Sequence, residues 1–220
     1  MRYLPSDKYN VAWFKLAECV SRGEKERALG VYRLLSHSFD DLAFASQLEG
    51  DILFSFEDAI GAIAKYDQAI ALYKKSNRLL EAAAVCEHVI TMAPATADYI
   101  RVVVDLYKKL RLTDRVVTYL QMLFALALGH DDLVNARLLL EELDQYADAQ
   151  STVIERQELI FATLRDNACD IEPLRVHIEQ VLDGLLALDD QVALQQFLAH
   201  VEAMHPAASE HAHLYLAQQA

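Results

Sequence analysis

An all-α fold is predicted by three observations. The 220 residues include only six Gly and four Pro, too few turn-formers for a many-stranded sheet. Ala, Leu, Glu, Gln, Lys and Arg dominate, and these residues lose little on entering a helix. Apolar side chains recur at i, i+3, i+4 and i+7 through every long segment, and none alternates convincingly with period two.

The helix ends can be read in order. A first helix near 8–21 runs into Ser21-Arg22-Gly23-Glu24, which has the form of a capping box opening a second helix near 24–38. Asp40 is the expected N-cap of a third, near 41–55, and a fourth follows near 58–75. Ser76 or Asn77 opens a fifth near 78–92, and Pro94 separates it from a sixth near 96–110. Thr113 opens a seventh (113–128) and Asp131 an eighth (131–145). Ser151 or Thr152, with Glu155 three beyond Thr152, opens a ninth (151–166). Pro173 suits the start of a tenth, near 171–187. Asp189 or Asp190 caps an eleventh (190–204), and Pro206 stands before a twelfth (207–218). The linkers are short, so the expectation is one helical domain over 1–220, its best candidate break at 166–171.

The sequence also repeats. Ala28, Tyr32 and Leu35 recur 34 residues later as Ala62, Tyr66 and Ala69, and Tyr73, Ala82 and Val89 recur as Tyr107, Val116 and Leu123. Trp13, Leu16 and Ala17 match W-x-x-L-G/A on a first helix, and Ala28-x-x-x-Tyr32 matches A-x-x-x-F/Y on a second. In the next unit Gly50, Leu53, Ala62, Tyr66 and Ala69 fit, with Ser46 at the Trp position. Beyond it the pattern fits better half a repeat out of step, with Tyr66, Tyr73, Ala82 and Pro94 on the two aromatic, Ala and Pro positions. The chain thus resembles the tetratricopeptide repeat family, clearly over about residues 10–130 and through helix length alone over 131–220. Small residues let helix backbones approach and aromatic residues fill the gaps between pairs, so all these positions are expected to be core.

The resemblance implies a right-handed α-α superhelix, a solenoid of about twelve antiparallel helices, that binds a peptide or protein segment in its concave face. With the first, third and fifth helices lining that face, the groove positions are Phe14, Glu18, Gln47, Asp51, Phe54, Glu81 and His88. Members that clamp acidic heat-shock-protein tails need Lys, Asn and Arg in the groove; Glu, Gln and Asp stand there instead. The alternative reading is a structural subunit that associates with itself or builds into a larger assembly.

Charge is unevenly spread. Residues 1–110 hold 14 Lys+Arg and 15 Asp+Glu, whereas residues 111–220 hold 6 and 18, a balance of −12. Such a surface repels phosphates, so nucleic acid and anionic membranes are not expected partners; the acidity either serves solubility alone or offers a surface to a basic protein segment. Glu141, Glu142 and Asp144 are expected to belong to that surface. Cys19, Cys86 and Cys169 form neither a disulfide framework nor a zinc pattern and read as small core hydrophobes in a reducing compartment. The N-terminal residues lack a signal peptide's apolar stretch, and the most apolar run, Val116 to Leu128, has 13 residues, so the expected location is the cytoplasm.

No phosphate-cradling loop, nucleophile elbow or H-E-x-x-H motif occurs, so no enzyme activity and no cofactor are expected. Four His lie within His200–His213, with His177 more distant. His200 and His205 are i,i+5 and His211 and His213 are i,i+2, so neither pair has the spacing of two ligands on one helix face, and a polar capping helix is the expected reading.

Overall fold

A computed structural model of the chain describes residues 7–93, 96–148, 150–166 and 169–219, with side chains from Val11 onward. Among the described residues the protein is all-α, with twelve α-helices, one 3-10 turn and no strand. None of these helices is long and apolar enough to cross a membrane. Pro94 lies outside the described residues, as do Asn167 and Ala168 of the expected break at 166–171.

The chain divides into two compact units, Met1–Leu110 and Arg111–Ala220. This division coincides with the change in charge from −1 to −12. The first unit contains α1 (Asp7–Ser21), α2 (Lys25–Ser36), α3 (Leu42–Ser55), α4 (Ala59–Lys75), α5 (Leu79–Met92) and α6 (Ala97–Leu110). The second contains α7 (Thr113–Gly129), α8 (Leu133–Leu143), α9 (Val153–Leu164), α10 (Arg175–Ala187), α11 (Gln191–Met204) and α12 (Pro206–Gln219). A 3-10 turn, Glu172–Leu174, leads into α10 and places Pro173 where its missing N–H costs nothing.

Within the first unit each helix packs on the next, and side chains also link alternate helices. Lys25 at the start of α2 pairs with Asp58 at the start of α4 (2.8 Å), Arg78 at the start of α5 pairs with Asp41 at the start of α3, and the Tyr99 hydroxyl of α6 donates to Asp67 of α4 (2.6 Å). In the second unit α7 packs on α9, α9 on α11 and α10 on α12, besides the consecutive pairs. All twelve positions of the two 34-residue correspondences are buried, as expected of core positions. α3 and α4 meet tightly at Gly50: a Cβ there would stand 2.6 Å from the Tyr66 ring, so only Gly fits. Ala17 does not follow this pattern; it is exposed.

The turns explain several displaced helix starts. Gly23, Glu57, Asn77, Arg111, Asp131 and Asp189 all have positive φ, between 54° and 72°. Gly23 and Glu57, and again Asn77 and Arg111, are 34 residues apart. At Glu57 the motif is plain: its N–H donates to the Phe54 carbonyl (2.9 Å) and the Asp58 N–H to the Leu53 carbonyl (3.0 Å). The residue after each left-handed position is the N-cap of the next helix. The N-caps are therefore Arg78 rather than Ser76 or Asn77, and Asp132 rather than Asp131. Asp41 rather than Asp40 caps α3, accepting from the Ala43 and Phe44 N–H groups. Leu112 takes the cap before Thr113, and Asp190 caps α11 through the Ala193 N–H. The expected capping box fails for the same reason: Glu24 is the N-cap, and the Ser21 hydroxyl turns back to the Glu18 carbonyl (2.9 Å).

Candidate functional site

Five of the seven expected groove residues fall on one connected surface of the first unit. Asp51 and Phe54 sit one turn apart on α3, and His88 projects from α5. Between them lies Tyr66 of α4, fully buried as a ring, whose hydroxyl donates to Asp51 Oδ1 (2.8 Å) and lies 3.2 Å from His88 Nε2. The His88 ring stands edge-on to both Phe54 and Tyr66, with centroids 5.8 and 5.3 Å away. Phe54 remains 41% exposed. The cluster is thus an aromatic edge at the surface, held by partly buried hydrogen bonds to the Tyr66 hydroxyl.

One turn further along α3, Gln47 accepts from the Tyr73 hydroxyl (2.9 Å). The Arg78 guanidinium lies 4.5 Å from the Tyr73 ring centroid and pairs with both Asp41 and Glu81. Gln47 and Glu81 are so joined through Tyr73 and Arg78. Phe14 and Glu18 are not brought in: Phe14 is 78% exposed on α1, and Glu18 pairs with Arg22 on its own helix. A furrow of about 260 Å³ between α1 and α3, walled by Trp13, Leu16, Val20, Leu48 and Asp51, does connect α1 to the cluster.

Electrostatics give this cluster no activated nucleophile. Burial first, and then the bond to Asp51, holds the Tyr66 phenol well above its ordinary pKa of 10.0. Burial pushes the Cys86 thiol up to about 12, so it is protonated at neutral pH. Among the described residues no group of three or more His, Cys, Asp or Glu side chains is placed to hold a metal ion.

Tyr66 and Tyr73 are expected core positions, and their hydrogen bonds, like the ion pairs of Arg78, had no sequence signal beyond the repeat itself. The same holds for the second unit's most unusual side chain, Arg156 of α9, which is 1% exposed. Its guanidinium donates to Gln180 Oε1 (2.7 Å) and His177 Nδ1 (3.2 Å) of α10 and pairs with Asp144 beyond α8. Arginine can only donate, so the neutral His177 ring carries its proton on Nε2. Burial, then the Arg156 charge, lowers the His177 pKa and keeps the ring neutral. Asp144 is therefore a structural partner, and not a free member of the acidic surface.

The second unit also has an open cleft of about 640 Å³ between α7, α9 and α11, with Leu128, Glu158, Phe161, Arg165, His200 and Met204 in its wall. Phe161 and His200 are stacked there, 4.2 Å between centroids and 28° between planes.

No protein-family model matches the sequence, and no curated protein matches it.

Proposed function

We propose that the chain is a non-enzymatic interaction module of tetratricopeptide-like architecture, binding a peptide or protein segment along the faces of its alternate helices. One observation carries this reading: Asp51, Phe54 and His88, from α3 and α5, meet around the buried Tyr66 in a fixed, solvent-accessible aromatic and polar edge. Binding energy concentrates in preorganised aromatic anchors of this kind, because ordering them on association costs little. The furrow beside Trp13 and Leu48 extends the same surface towards α1. The raised phenol and thiol pKa values leave these groups protonated, which suits recognition better than nucleophilic chemistry.

The test is affinity capture from native extract with the full chain, against a Phe54→Ala/His88→Ala variant of equal helicity. A specific client held by the wild type and reduced about tenfold or more by the variant supports the reading. Equal capture by both sinks it. Self-association, the second reading, is favoured by Val11 and Phe14 of α1, 66% and 78% exposed. Sedimentation at rising protein concentration separates the two.

A further inference from the structure

We propose that the cleft between α7, α9 and α11 takes the side chain of an arginine in a partner's peptide segment. This assignment rests on reading alternate helices as the binding face, and it names the chemistry that the second unit recognises. Four features converge on it.

The first is an uncompensated pair of carboxylates. Glu155 and Glu158 stand one turn apart on α9, and no cation among the described residues pairs with either. Glu155 accepts from Gln121 Nε2 of α7 (2.7 Å) through one oxygen, while its other oxygen is buried and has no hydrogen-bond partner. Burial, and then the charge of Glu155, raises the Glu158 pKa. Of the two, Glu158 stands in the cleft wall, and a cation arriving beside it offsets the like charge of Glu155 behind it.

The second is the stacked Phe161–His200 pair in the cleft wall, which offers a flat π surface. A guanidinium is planar, weakly hydrated and able to stack while donating two parallel hydrogen bonds, whereas an ammonium is a compact hydrated point charge. The third is the apolar wall formed by Leu128 and Met204, which suits the methylene stem of a long basic side chain. The fourth is polarity along the cleft. Arg165 lies seven residues beyond Glu158, about 10 Å along the helix, and marks a positive end. It directs a cation to the Glu158 end and disfavours a second cation beside it. The net charge of −12 on residues 111–220 brings a basic segment to this unit in the first place.

The experiment is an amide-resolved NMR titration of the full chain with N-acetyl-arginine methylamide. Parallel titrations use the lysine analogue and the neutral isostere, N-acetyl-citrulline methylamide. Saturable shifts at Glu158, Phe161 and His200 are expected with arginine, several-fold weaker binding with lysine and none with citrulline. Glu155→Gln/Glu158→Gln should weaken arginine binding about tenfold or more. Glu158→Gln alone, at an exposed position, should still weaken it if the double variant fails to fold. His200→Ala should reduce the preference for arginine over lysine without altering the carboxylates. Shifts that never saturate, that spread over exposed acids such as Glu202 and Glu210, or that survive both Gln variants overturn the assignment. So does equal binding of citrulline. If a client is captured through Phe54 and His88 but is indifferent to Glu155→Gln/Glu158→Gln, the interaction module stands and the arginine site falls.

Discussion

Arg156 and Asp144 form an unequal pair. The Arg156 side chain is 2% exposed and that of Asp144 is 36% exposed, so one charge depends on the protein for solvation and the other retains water. Removing the carboxylate strands a buried cation whose Nε already has no hydrogen-bond partner. Removing the cation returns a 36%-exposed carboxylate to solvent and frees His177 and Gln180, both of them partly exposed and neutral. Asp144→Ala is therefore expected to cost about 3 kcal/mol or more, and Arg156→Met about 1 kcal/mol or less, in urea unfolding. Equal losses would mean that the guanidinium is anchored by Gln180 and His177 alone. Nothing in the sequence set Arg156 apart from the other basic residues after Leu110, because its burial depends on α10 supplying His177 and Gln180 from 21 and 24 residues away. Gly50 was legible where Arg156 was not. Its role is set by a local repeat, and the 2.6 Å approach of the Tyr66 ring is the physical content of that repeat position.

At the scale of elements, helix existence was written in the apolar period, whereas helix starts were misplaced at several left-handed turns, one residue early at Asp131 and one residue late at Arg111. Asn77 and Asp131 are good cap residues by type, yet both occupy the left-handed position itself. Their short polar side chains make that conformation affordable, so residue type alone could not separate turn from cap. Glu57 gives no such signal, and it adopts φ 61° because the hydrogen bonds of Glu57 and Asp58 to α3 and the packing of α3 on α4 hold it there. Glu57→Gly should raise stability by up to about 1 kcal/mol, and Gly23→Ala should lower it by about 1–2 kcal/mol. Open space surrounds a Cβ at Gly23, so that loss would come from the backbone conformation alone. Thermal unfolding of the two variants measures both signs, and a stabilising Gly23→Ala would contradict the turn geometry. The same scale governs the candidate site. Asp51, Phe54 and His88 came together because α3 and α5 are alternate helices, while Phe14 and Glu18, placed by the same rule, stayed apart on the exposed side of α1.

Across the whole molecule, the division at Leu110 had no mark in turn chemistry, since the turn at Arg111 repeats the one at Asn77. It did have a mark in charge, which changes at the same place. The tyrosines run through both units and give the fold a limit of its own. Tyr32, Tyr66, Tyr73, Tyr99 and Tyr215 all have raised phenol pKa values, burial being the leading cause in each, and that of Tyr32 reaches about 12. For Tyr66, Tyr99 and Tyr215 a hydrogen bond to a carboxylate adds to the effect, so ionisation in place would set two anions in contact. In the unfolded chain the same phenols ionise near 10. Their contribution to stability is complete below that pH and is lost as pH rises above it. An alkaline titration should show helix loss and phenolate absorbance rising together in one cooperative step, with only the more exposed tyrosines ionising ahead of it. Phenolate signal from all ten tyrosines while the helices persist would mean that the hydroxyls are not held as described. Under the expected outcome, the hydrogen bonds that fasten one helix to another double as an optical readout of whether each unit is folded.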